Sequence, residues 1–213
     1  MIKLKFLKWF ENYWYHYKWL TLALVFVLIL LVVGIRSCAN HSEIDLHIVY
    51  FSNTTLHDRE MEALKKSLIN NNVVKDLDGD GKISIHIEPI VHSFDVDAPL
   101  QQGTMEKLQT ILYAGDHTLM LVHEYALEDY AQFFEDISHK AAESNKTYVS
   151  PLENYISGIS VESNTYLERI GINTENLYVA MRRMRENEKD SKKAQRLFKQ
   201  GYEAMNFILK YNE

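Results

Sequence analysis

A single cysteine, three prolines and eight glycines are spread over 213 residues. One cysteine excludes an intrachain disulfide and a thiol-only zinc site, so stability has to come from packing. So little proline and glycine excludes a Pro-rich stalk or a long flexible spacer. Also missing are a Gly-rich phosphate loop and a GxSxG nucleophile turn. Cys38 has no local partner that would make it a nucleophile. A basic folded region is lacking as well. Residues 1–36 carry Lys3, Lys5, Lys8, Lys18 and Arg36 against Glu11, whereas the remainder holds 18 basic and 28 acidic residues. That acidic balance argues against nucleic acid as a partner.

What is present begins with an uncharged run, WLTLALVFVLILLVVGI, from Trp19 to Ile35. At about 1.5 Å per residue it covers about 25 Å of hydrocarbon, with no polar face between Leu22 and Val33. Tyr13, Trp14, Tyr15, Tyr17 and Trp19 form an interfacial cluster on the side that carries four lysines. The sequence thus predicts a single-pass signal anchor in the cell membrane, N-terminus cytoplasmic and C-terminal domain extracellular. A cleaved signal fits less well, because the apolar run is long and continues into Gly34, Ile35 and Arg36. Lipid attachment at Cys38 fits less well because Arg36 lies where small or apolar residues are expected. The organisation expected is an aromatic and basic tail over 1–18, a membrane helix over 19–36, a linker over 37–43 and one domain over 44–213.

Beyond the linker, apolar periodicity switches between two and 3.6 residues. Strands are predicted for 44–51, 82–90 (closing at Pro89) and 118–123, and helices for 57–70, 101–113 and 164–170. Residues 127–138 read as a helix or helix pair, 140–160 as loop, and 177–181 as a short apolar segment. A strong amphipathic helix follows Asp190 or Ser191. The fold class expected is one small mixed α/β domain behind an N-terminal transmembrane helix.

The most specific motif is KDLDGDGKIS. Asp76, Asp78, Asp80, the Lys82 carbonyl and Ser84 alternate around Gly81 like the first ligand positions of an EF-hand loop. The twelfth position is Ile87 instead of an acid, and a strand follows instead of a helix. Two readings remain open, a weak calcium site and a plain Asp/Gly turn. Calcium is the one cofactor the residues suggest. The nine histidines show no ligand spacing: His123 and Glu124 begin an HExxH-like string, but position 127 is Leu. No zinc site is expected. Arg182, Arg183 and Arg185 read as a solvated turn paired locally with Glu186, Glu188 and Asp190.

The segment Met105–Ser138 resembles part of the first lobe of extracellular ABC-type solute-binding proteins, through Leu108, Gly115, Asp116, the run Thr118–Val122, Tyr130 and Asp136. The layout as a whole, with YHYKW at Tyr15–Trp19 and DLDGDGK, is similar to membrane-anchored proteins of low-GC Gram-positive bacteria. The first resemblance implies a single lobe, since the residues after Ile137 are too few for a second lobe and a hinge. The function expected is a membrane-anchored extracytoplasmic binding or assembly domain without catalytic activity, taking a small ligand or an envelope protein partner. The alternative is a structural subunit of an envelope complex that contacts partners through its membrane helix.

Overall fold

The computed structural model describes residues 2–39, 43–92, 98–141, 146–152 and 154–210, with side chains from Tyr13 onward and excluding those at 35–39 and 98–100. Residues 40–42 of the expected linker and the Cys38 side chain lie outside this set. Internal contacts divide the chain into Met1–Ser42 and Glu43–Glu213. The first unit is one helix, α1 (Ile2–Ala39). Its segment Tyr13–Gly34 contains an 18-residue stretch with a mean hydropathy of 2.3 and no buried residue, and is long and apolar enough to cross a membrane.

The second unit is a mixed α/β domain around one six-stranded sheet. Its strands are β1 (Leu46–Ser52), β2 (Ile85–Val91), β3 (Leu119–His123), β4 (Thr147–Val149), β5 (Ile156–Ser160) and β6 (Leu177–Met181). The spatial order is β2-β1-β3-β6-β5-β4. β1 runs parallel to β2 and to β3, while the pairs on the β6 side are antiparallel. The parallel half follows from two crossover helices, α2 (Asp58–Asn70) between β1 and β2, and α3 (Ala98–Ala114) between β2 and β3.

Strand alternation sorts the core into two layers. Leu46, Ile48 and Tyr50 of β1, Leu119 and Leu121 of β3, and Leu177, Val179 and Met181 of β6 face one side, with Leu64 and Leu68 of α2. Phe198, Ala204, Met205 and Ile208 of the last helix, α6 (Lys192–Leu209), join that side. Val49, Phe51, Met120, Val122, Tyr178 and Ala180 face the other, against Leu108 and Leu112 of α3 and Ala126 and Leu127 of α4 (Glu124–Asp129). Because both faces are covered, β3 reads as an unbroken apolar run instead of an alternating one. Gly201 lets α6 approach closely: a Cβ there would stand 2.8 Å from Met181 Cε.

Several elements differ from the sequence expectation. Residues 127–138 do not continue as helix: α4 ends at Asp129, a 3-10 turn covers Ala131–Phe133, and Phe134 bridges to Arg182. The reason is that Phe134 belongs to one core layer and Ile137 to the other, so the chain has to pass between faces. Residues 140–160 contain β4 and β5, which are short, and β5 includes Gly158, where a Cβ would meet Leu127 Cδ1 at 2.6 Å. Pro89 does not close β2 but pairs with Tyr50 within it, which an edge strand permits. The short helix α5 (Thr165–Arg169) is capped by Asn164, which accepts from the Leu167 amide, and Ser191 caps α6 in the same way.

Arg182 is not solvated. Only 2% exposed, it grips Glu188 with two bonds of 2.9 Å, donates from Nε to the His117 carbonyl, and lies over the Phe198 ring. Burial pushes the Glu188 carboxyl up, but its bonds to Arg182 and the Arg185 amide outweigh that and hold its pKa below the ordinary value. A depressed carboxyl stabilises the fold above its unfolded pKa, and that contribution fades as pH falls through the folded one. Arg182→Met is expected to cost about 3 kcal/mol, the low end for a broken buried pair because Glu188 keeps 21% of its side chain exposed. Urea midpoints at pH 7 and pH 3 check this: the loss should shrink at the lower pH, and an equal loss at both would refute the pairing.

Candidate functional site

Two rims of the parallel half carry the polar chemistry. At the carboxyl ends of the strands, β1 and β3 leave toward opposite faces through α2 and α4, which makes a switch point in the sheet order. Ser52 ends β1 here and Asn53 and Thr54 follow it, joined by Ser52 Oγ to Asn53 Oδ1 at 3.3 Å and Tyr50 OH to Thr54 Oγ1 at 3.0 Å. His92, at the end of β2, meets Thr104 of α3 through Nδ1 and Oγ1 at 2.7 Å. The Thr104 hydroxyl also reaches the Gln101 carbonyl at 2.8 Å, which ties His92 to the start of α3. His92 stacks on Phe51 with centroids 5.5 Å apart, and His123 lies 4.1 Å from the Tyr125 ring. Burial lowers the pKa of both histidines. Neutral imidazoles, hydroxyls and an amide on one rim suit hydrogen bonding to a small polar ligand. The HExxH-like string falls apart in space, since His123 ends β3 and Glu124 opens α4.

The opposite rim carries the acidic loop. Asp76 accepts from the amides of Gly79 at 2.6 Å and Gly81 at 2.8 Å, Asp78 from those of Asp80 and Glu43, and Asp80 from that of Lys82. Gly79 and Gly81 have φ of 78° and 82°, which the reversal requires. The carboxylates that converge are Asp45, Asp76 and Asp78, whose oxygens lie within 4.8 Å of one another. Asp80, Lys82 and Ser84 are outside that group, although Ser84 donates its amide to Asp45 at 2.8 Å. Asp45, just before β1, was not legible as a member, because only the β1–β2 pairing brings it across 31 positions to the loop. It is 1% exposed, and burial raises its pKa against the pull of the Leu77 and Ser84 amides.

Three histidines also meet at this rim. His47 of β1 is paired in register with His86 of β2, and His117 lies two residues before β3. Ring centroids are 5.0 Å apart for His47 and His117, 5.8 Å for His47 and His86, and 6.2 Å for His86 and His117. Sequence separations of 39 and 31 hide the group, and the signal that would have found it is strand register. Burial, followed by the neighbouring His47 and His86, brings the His117 pKa down to about 4, and burial with His86 also lowers that of His47.

No protein-family model matches this chain, and neither does any curated protein or solved structure. The functional reading therefore rests on the residues themselves.

Since backbone amides already hydrogen-bond the loop carboxylates, chelator and millimolar calcium are expected to give the chain in detergent the same Tm. A filled weak site would add about 0.4–1.4 kcal/mol, or about 1–6 °C for a chain of this size. A calcium-dependent rise of that size, abolished by Asp78→Asn, would contradict the plain turn and establish a calcium site.

Proposed function

We propose that the chain is a membrane-anchored binding or assembly domain, displayed outside the cell and without catalytic activity. The observation that carries this reading is the apolar Tyr13–Gly34 segment, unburied along its length and preceding a unit whose core layers are both drawn from Leu46 onward. A helix that is apolar all round needs a nonpolar surrounding, and the lipid bilayer supplies one. Lys18 and the lysines before it lie at one end of the segment, so the positive-inside rule favours a cytoplasmic N-terminus.

Binding is favoured by the switch point between β1 and β3, where open α/β sheets take ligands outside the carboxyl ends of their strands. Fold alone does not fix activity, so the polar side chains at Ser52–Thr54, His92 and His123 carry the argument for a small ligand.

Protease added to intact protoplasts should digest the domain beyond about residue 40 and leave a protected fragment containing the membrane segment. A domain protected until the cells are lysed would overturn the orientation, and release of the chain by carbonate washing would overturn the anchor.

A further inference from the structure

We infer that His47, His86 and His117 form a three-histidine site for a divalent transition-metal ion, of which zinc is the type. The inference stands apart from the membrane topology and from the ligand rim at the other end of the sheet. It begins with geometry. Three imidazoles on one tetrahedral zinc, at Zn–N distances of about 2.0–2.1 Å, hold their ring centres about 5 Å apart. The observed separations of 5.0, 5.8 and 6.2 Å run from that value to somewhat beyond it, and the three sets of ring nitrogens do not yet lie within 4.8 Å of one another, so the rings have to turn and close up to bring one nitrogen each onto an ion.

The hydrogen bonding points the same way. His47 Nδ1 and both ring nitrogens of His117 are buried with no hydrogen-bond partner among the described residues. Each buried polar atom left so costs about 1–3 kcal/mol, a penalty that simple packing of rings would not select. His86 has the complementary arrangement. Its Nε2 meets Glu88 Oε2 at 3.2 Å, and Lys107 holds the other Glu88 oxygen at 2.5 Å. A carboxylate on the far nitrogen is how metal-bound histidines are commonly oriented, and it leaves the His86 Nδ1 for the ion.

Placement completes the case. The two strand residues share a sheet face: Leu46 and Ile48 flank His47, and Ile85 and Ile87 flank His86, all four on the α2 side, so both rings project on the α3 side. His117 reaches them because only Gly115 and Asp116 separate it from the end of α3. Gly115, with φ of 80°, makes that turn, and a Cβ there would fall on the Arg185 guanidinium. Asp116 places a negative charge near His47 and His117, while Lys193 opposes a cation at His47. His86, with 46% of its side chain exposed, leaves the site open to water, so a water molecule or the Asp116 carboxylate can fill the fourth position. An all-imidazole set selects zinc, copper, nickel or iron over calcium or magnesium.

The test is a zinc titration of the full chain in detergent micelles, in competition with a chromogenic chelator, paired with cobalt(II) spectroscopy. One zinc per chain is expected, together with the strong visible absorption of four-coordinate cobalt. His47→Gln and His86→Gln should each weaken zinc by more than about 100-fold, and Glu88→Gln by about 10- to 100-fold. Asp78→Asn should retain full affinity. His86→Gln, changed at a half-exposed position, should melt like the metal-free parent, so its loss of zinc would not reflect unfolding. Failure of the parent to bind zinc, the absence of the four-coordinate cobalt spectrum, or binding that survives both histidine substitutions would each overturn the assignment.

Discussion

The Asp45 carboxylate, shut off from water before β1, accepts the amide of Leu77 at 2.7 Å and that of Ser84 at 2.8 Å. It thereby clamps both ends of the acidic loop. The backbone of the same residue donates to the Ser84 carbonyl, and its own carbonyl accepts from Gln200 Nε2 of α6. Gln200, 2% exposed, also exchanges bonds with the amide and carbonyl of Lys75. One buried acid and one buried amide side chain thus tie β1, the entry to β2 and α6 together. A buried polar group is tolerated only when satisfied, and here the satisfied groups join segments 32 to 155 positions apart.

This knot sets the register from which the rest of the rim follows. With Ser84 fixed beside Asp45, Leu46 faces Ile85 and His47 faces His86. A slip by one residue would turn the apolar side chains of β2 to the wrong layer and carry His86 with them. The loop before β2 and the histidine group are therefore consequences of the same pairing. The opposite rim depends on α2 and α4, which leave β1 and β3 toward different faces and open the switch point.

The parallel half of the fold was legible because its signals are local. Alternation in 44–51, the periodicity of α2, the Ser191-capped periodicity of α6, and Gly115 after α3 each specify one element without reference to the others. The antiparallel half was not. Residues 147–149 and 156–160 are too short to show a period, and they become strands by pairing with each other and with β6. The same limit governs the sites. Asp76, Asp78 and Asp80 alternate within five residues of the chain and were read from it, whereas Asp45 and the three histidines assemble only through tertiary pairing. Arg182 was misread for a related reason: its charge suggested solvent, but the Glu188 carboxylate, the His117 carbonyl and the Phe198 ring enclose it.

The dependence of the whole rim on Asp45 can be measured directly by amide hydrogen exchange of the full chain in micelles, with and without Asp45→Ser. If Asp45 holds the loop to the sheet, the Leu77 and Ser84 amides of the parent are protected nearly as strongly as those inside β1, and both lose that protection in Asp45→Ser. Leu77 and Ser84 amides that exchange in the parent as fast as those of an open loop would contradict the account.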